Sequence, residues 1–167
     1  WEKMVAGWIT PTEIKSDYYA RNIKALQHGG ESFVIYNEVN KNEYYMVENR
    51  QKDGWDASIA ASGFLIMHVD YDRKIFDVYN APNTLKAGIN DHQRFTIYHA
   101  DNTDTDYDEA TDPYPFGWNN LLSKNSVPAL MAYNLNEGTS NLLDVKISRI
   151  EAHDDGSMSF CFGNPAK

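Results

Sequence analysis

The residues able to do chemistry in this chain are few and widely spaced. Its five histidines are His28, His68, His92, His99 and His153. No two of them stand three or four apart, so a helix-borne zinc pair of the His-Glu-x-x-His kind is absent. His68 and Asp70 are two apart, and on a strand both side chains would point to one face. Joined by His92 or His99 from another strand they would form a metal site. The plainer reading is a hydrogen-bonded structural His–Asp pair near a strand end. Nucleophilic catalysis has little to build on. There is no Gly-x-Ser-x-Gly, and Ser62-Gly63 lacks the strand-to-helix context of a nucleophile elbow. The lone Cys161 sits in a β-type run with no flanking His, which reads as a packing residue. His28-Gly29-Gly30-Glu31 reads as a turn, and no glycine-rich phosphate loop is present.

Two further groups carry charge in a pattern. From Asp101 to Asp112 the chain runs DNTDTDYDEATD, with six acidic residues and no basic one. Asp104-x-Asp106-x-Asp108 resembles the first half of a calcium loop, because alternate carboxylates can converge on a hard cation. The sixth position is Glu109 and the twelfth Pro115, so the EF-hand template fails. A calcium site at Asp101, Asp104, Asp106 and Asp108 is one expectation, and a solvated acidic loop is the other. Glu48-Asn49-Arg50 closes a strand pattern and leads into Gln51-Lys52-Asp53-Gly54-Trp55-Asp56. Opposite charges and amides at a strand end pin the loop that follows. Trp55, Trp118, Tyr114 and Tyr133 are aromatics that could stack on sugars or pack on other chains.

The elements that must position these groups read as β. Glu31–Glu38 and Glu43–Arg50 flank Asn40-Lys41-Asn42 and predict a hairpin. Phe64–Tyr71 is apolar on both faces in its first half, as in a strand buried on both sides. Arg94–Ala100 alternates, with Phe95, Ile97 and His99 on one face and Arg94, Thr96 and Tyr98 on the other. Asp144–Ala152 and Ser157–Phe162 flank His153-Asp154-Asp155-Gly156, a second hairpin whose Met158, Phe160 and Phe162 share a face. Trp1–Trp8 reads as the end of a helix closed by Gly7 and stopped by Pro11. Residues 72–92 and 101–138 look irregular, and loops that long are commonly functional. The expected fold is mainly β, an antiparallel β-sandwich or jelly-roll-like domain with long loops and little helix, as a single domain over 1–167.

Composition sets the frame. The 167 residues are 42% hydrophobic, 23% charged and 13% aromatic, values of a globular chain. At this length folding needs no disulfide or metal staple, and one cysteine permits no internal disulfide. A net charge of −9 argues against a nucleic-acid or anionic-membrane partner. No apolar run approaches the length of a membrane span. The chain opens on Trp1 without an initiator methionine, which reads as a processed or excised piece of something longer.

Taken in order, the motifs resemble one family. Tyr44–Asp56 (YYMVENRQKDGWD), Gly63–Asp70 (GFLIMHVD), Asp91-His92-Gln93-Arg94 and His99-Ala100-Asp101 are similar to segments of the immune inhibitor A type of secreted bacterial zinc metallopeptidase, peptidase family M-six. Gly7-Trp8-Ile9-Thr10-Pro11, Asp112-Pro113-Tyr114-Pro115 and the closing hairpin Ile147–Phe162 resemble further segments of the same family. Met67 stands where an aromatic is usual before the His, and Ala57–Ser62 lacks the usual Pro-Gly. The resemblance places this chain after the family's zinc-binding helix, with residues 1–11 entering from a missing N-terminal catalytic part. It implies zinc in that part, none in this chain, and no catalytic residue here. Glu48, Asn49, Arg50, His68, Asp70 and His92 match family positions and are expected to be structural or to face the missing part. The implied partners are that part and a protein or peptide substrate, in a secreted or cell-surface bacterial setting. The competing expectation is a non-catalytic extracellular binding module for carbohydrate or a cell-surface protein.

Overall fold

Alternating and doubly apolar runs of this kind bury themselves only if their strands form sheets with covered faces. The computed structural model describes residues 1–105, 109–135 and 141–166. Nine strands follow in chain order: β1 (Thr12–Glu13), β2 (Tyr18–Ile23), β3 (Ser32–Asn37), β4 (Asn40–Arg50), β5 (Gly63–Asp70), β6 (Phe95–Ile97), β7 (Leu122–Ser123), β8 (Lys146–Ala152) and β9 (Met158–Phe162). They form a five-stranded sheet in the order β1-β3-β4-β5-β6 and a four-stranded sheet in the order β2-β9-β8-β7. Among the pairings of these strands, β1–β3 is parallel and the rest are antiparallel. The chain is mainly β, and its two sheets share one core, consistent with a β-sandwich. Among the described residues no helix is long and apolar enough to cross a membrane.

The five-stranded sheet is covered on both sides. Phe33, Ile35, Tyr45, Val47, Phe64 and Ile66 point into the core shared with the four-stranded sheet. Their neighbours Val34, Tyr44, Met46, Met67 and Val69 point the other way, under Phe76 and the half-buried Trp1, Met4 and Phe95. The double burial expected for Phe64–Tyr71 is therefore present, and it extends to β3 and β4, whose alternation concealed it. The cover comes from the opening helix α1 (Glu2–Val5) and a single π-helical turn over Lys74–Tyr79, inside a stretch that read as irregular. Gly7 has φ +72° just after α1, the left-handed stop expected of it.

Three local features differ from simple alternation. The first hairpin turns at Glu38-Val39, and Asn40–Asn42 belong to β4. Asn37 Oδ1 accepts the Val39 N–H at 3.1 Å and closes the chain earlier than the Asn-Lys-Asn run suggested. In β8 the register shifts between Ser148 and Glu151, with Arg149 at φ +51°. In β2 it shifts between Ala20 and Ile23, with Asn22 at φ +52°. Strict alternation would put Ile147 and Ile150, or Ala20 and Ile23, on opposite faces. The bulges turn both members of each pair into the core.

Phe160 of β9 is fully buried and meets Phe33 and Phe64 edge-on, with ring centroids at 5.2 and 5.5 Å. It joins side chains of the five-stranded sheet to β9 in the shared core. Phe160→Ala is expected to lower unfolding stability by about 3–5 kcal/mol through lost burial and a residual cavity. Phe116→Ala, at a residue 42% exposed, should stay within about 0.5 kcal/mol. Denaturant midpoints of the two variants check this contrast.

Candidate functional site

The end of β4 places Glu48, Asn49 and Arg50 at the junction of the two sheets. Asn49 is fully buried. Its Nδ2 donates to the carbonyl of Ile23, at the end of β2, at 2.8 Å and to that of Gly156, in the β8–β9 turn, at 2.9 Å. Its Oδ1 accepts from Gln51 Nε2 at 2.8 Å. One amide thus ties the five-stranded sheet to two points on the other. Arg50 forks onto Asp56 with two bonds of 2.8 Å and reaches Glu48 Oε1 at 2.9 Å. That planar fork holds the loop carrying Trp55, whose own ring is 98% exposed.

His68 and Asp70 share a face of β5, as their spacing predicts, but they do not pair with each other. His68 Nε2 lies 2.8 Å from Glu43 Oε1, across the strand boundary on β4. A carboxylate only accepts, so the ring nitrogen is the donor. Asp70 Oδ2 receives His92 Nε2 at 2.9 Å and Arg94 Nη1 at 2.6 Å. Asn134 joins the two carboxylates, its Nδ2 donating to Glu43 Oε2 at 3.0 Å and to Asp70 Oδ1 at 2.9 Å. The rings form a column. His68 stacks on Tyr45 at 4.6 Å and on Tyr133 at 5.2 Å, both within 3° of parallel, and Tyr133 stacks on His92 at 3.7 Å. Tyr45 and Tyr98 share a hydroxyl contact of 2.9 Å, and both also bond the backbone of Met131.

Glu43, absent from the residues singled out by sequence, is the hub. Its side chain has no exposure. Its oxygens accept from His68, from the Tyr133 and Asn134 N–H groups at 2.6 and 3.0 Å, and from the Asn37 and Asn134 amides at 3.0 Å each. Burial opposes ionisation. The hydrogen bonds, led by His68 and the Tyr133 N–H, outweigh it and hold the carboxyl at about 2 instead of 4.5. Burial, then the Glu43 and Asp70 charges, raise the Tyr133 phenol. The sequence signal for this hub is a Glu at the first position of the predicted strand Glu43–Arg50, a pattern that also fits a solvated strand end.

The acidic loop is organised differently. Asp101 accepts from the Thr103 N–H at 2.9 Å, from Thr103 Oγ1 at 2.7 Å and from Thr111 Oγ1. These bonds, the one from Thr111 foremost, draw its carboxyl down to about 2. Both of its oxygens are thus engaged in holding the loop. Asp104 is exposed and lies 3.8 Å from His99 Nε2, while His99 Nδ1 meets Asp112 Oδ1 at 2.7 Å. Asp106 and Asp108 lie outside the described residues. Among the described residues no group of three or more His, Cys, Asp or Glu side chains is arranged to hold a metal. Cys161 is buried, with Arg149 Nη1 3.8 Å from its sulfur. Tyr114 is wholly buried, whereas Trp118 is fully exposed.

Comparison of the chain with protein-family models, with curated proteins and with solved structures returns no match. The site must be read from its own chemistry. The carboxylates of Glu43, Asp56 and Asp70 accept N–H donors from other segments, an arrangement that fixes loops and holds ring orientations.

The Glu43 carboxyl ionises more readily in the folded chain than in the unfolded one. Its contribution is complete above about pH 4.5 and is lost as pH falls toward 2. The drop from 4.5 to about 2 corresponds to at most ~3 kcal/mol. Glu43→Gln is expected to cost on the order of 2–3 kcal/mol at pH 7 and to flatten the decline of stability between pH 5 and 3. Urea midpoints across that range, wild type against variant, measure both effects.

Proposed function

We propose that this chain is the β-rich part of a secreted bacterial zinc metallopeptidase of the immune inhibitor A type. In this reading it supports the peptidase unit and shapes its substrate cleft without being catalytic by itself. One observation carries the reading. The residues at the resembling positions serve as pins: Asn49 bridges the sheets, Arg50 grips Glu48 and Asp56, and Asp70 grips His92 and Arg94. Motif positions spent on holding loops suit a scaffold whose chemistry is supplied elsewhere. Zinc is then the business of the N-terminal catalytic part, where it would activate water and polarise the scissile carbonyl. The calcium candidate at Asp101, Asp104, Asp106 and Asp108 stays a proposal attached to this reading, with Asp101 also holding Thr103 and Thr111.

A second reading has its own support. Trp118 is fully exposed and, with Phe116 and Val127, borders a shallow open groove. An exposed aromatic beside amide side chains suits a non-catalytic extracellular module for carbohydrate or a cell-surface protein.

The two part company in one experiment. The chain alone should show no chelator-sensitive cleavage of casein. Co-expressed with the upstream part of its open reading frame, it should co-purify with that part, and chelator-sensitive cleavage should appear. Chelator-sensitive cleavage by this chain alone, or an upstream frame encoding no zinc-binding motif, overturns the proposal.

A further inference from the structure

The edge of the five-stranded sheet carries an incomplete row of backbone bonds. The Asp70 N–H donates to Arg94 O at 2.9 Å and the Tyr98 N–H to Ile66 O at 2.8 Å. With the register Met67↔Ile97, His68↔Thr96 and Val69↔Phe95, the antiparallel alternation turns Thr96 toward β5 and the N–H and C=O of Phe95 and Ile97 outward. Phe95 is closed off, because Asn83 donates its Nδ2 to Phe95 O at 2.6 Å and accepts the Phe95 N–H at 2.9 Å. Ile97 has no such cover among the described residues. Its N–H and C=O stand open beside a side chain that is 39% exposed.

Two cavities border this open residue. One, of about 310 Å³, is lined by Leu65, Ile97, His99, Asp104, Glu109 and Asp112. No Lys or Arg lines it among the described residues. Asp112 is occupied by His99, but Asp104 and Glu109 are exposed. The other, of about 200 Å³, shares Ile97, His99 and Asp104 with the first, but most of its surface is apolar, from Ile97, Tyr98 and Pro128.

The geometry points to the β6 edge as a docking site for an extended peptide that pairs with the Ile97 backbone and alternates basic with apolar side chains. An added strand takes two hydrogen bonds from Ile97 and sends successive side chains to opposite faces. One set reaches the carboxylate-lined cavity, where opposite charge selects Arg or Lys. The other reaches the cavity beside Tyr98 and Pro128, which suits a Val-sized group. The inference deepens the cleft-shaping reading and rests on it for the source of the peptide. Binding is measured on this chain alone, so its failure and the failure of co-expression are separate results.

The probe is a fluorescein-labelled peptide of three Val-Arg repeats with blocked ends, followed by fluorescence anisotropy. Saturable binding is expected, weakening as salt is raised. Replacing each arginine by glutamate should weaken binding at least about tenfold. Of two peptides N-methylated at alternate residues, one for each phase, at least one should lose about tenfold, the worth of one to two backbone bonds. The double variant Asp104→Asn, Glu109→Gln, both exposed and outside the core, should keep its circular dichroism spectrum and lose the preference for arginine over glutamate. Absence of saturation up to about 1 mM overturns the proposal. So does equal binding of the arginine and glutamate peptides, tolerance of N-methylation in both phases, or a double variant that keeps the preference.

Discussion

A single buried charge organises one side of this molecule. Glu43 has no exposure and ionises against its own burial. A carboxylate in that position is tolerable only if donors saturate it, since leaving one unpaired costs several kcal/mol. The donors come from three separate parts of the chain: Asn37 at the end of β3, His68 on β5, and Tyr133 with Asn134 in the long connection to β8. Satisfying Glu43 therefore fixes Tyr133 and Asn134, which lie outside any strand or helix. Once Tyr133 and Asn134 are fixed, the rest follows. The Tyr133 ring is held between His68 and His92, and the Asn134 amide is aimed at Asp70. Asp70 in turn holds His92 and Arg94, the residues that lead into β6.

The opposite end of the same strand solves a different problem with a neutral group. Asn49 donates to two carbonyls, at Ile23 and Gly156, that lie in the other sheet. Both carbonyls sit beside irregularities, one at the end of β2 just after its bulge and one in the β8–β9 turn. An amide offers two donors in one plane, and a buried carbonyl left without a partner costs about 1–3 kcal/mol. Strand β4 thus carries an anion at its start and an amide at its end, and each gathers chain from outside its own sheet.

How far this was legible in the sequence depends on the range of the interaction. Short-range signals were sufficient where they governed the outcome: the Asp-Gly turn before Ser157, the left-handed stop at Gly7, the double apolar face of β5, and the face alternation around Phe95 and Ile97. They failed where geometry is set by tertiary contact. The bulges at Asn22 and Arg149 insert one residue each, and nothing local marks them because neither position is glycine. The side-chain cap of Asn37 on Val39 moved the first turn two residues early. His68 and Asp70 were rightly placed on one face. Their partners Glu43 and His92, however, come from strand pairing and from a loop contact, which spacing along one strand cannot supply. The acidic run could be read as charge, but not as a loop in which Asp101 is already spent on two threonines.

The edges of the five-stranded sheet complete the argument. Proteins blunt free edges because unpaired N–H and C=O groups recruit other chains. At the β1 edge the strand is two residues long, and Glu13 meets Lys15 and Lys41 there, a short charged border. At the β6 edge the Asn83 amide imitates a neighbouring strand against Phe95. The same protection could have been extended by one more residue pair, and at Ile97 it is not. The Glu43–Asp70 network anchors β5 and the entry to β6 directly behind this point, so the open residue rests on a rigid backing. Rigidity behind and an unsatisfied donor and acceptor in front are what strand addition requires, since a preformed edge has little ordering entropy left to lose when a second strand arrives.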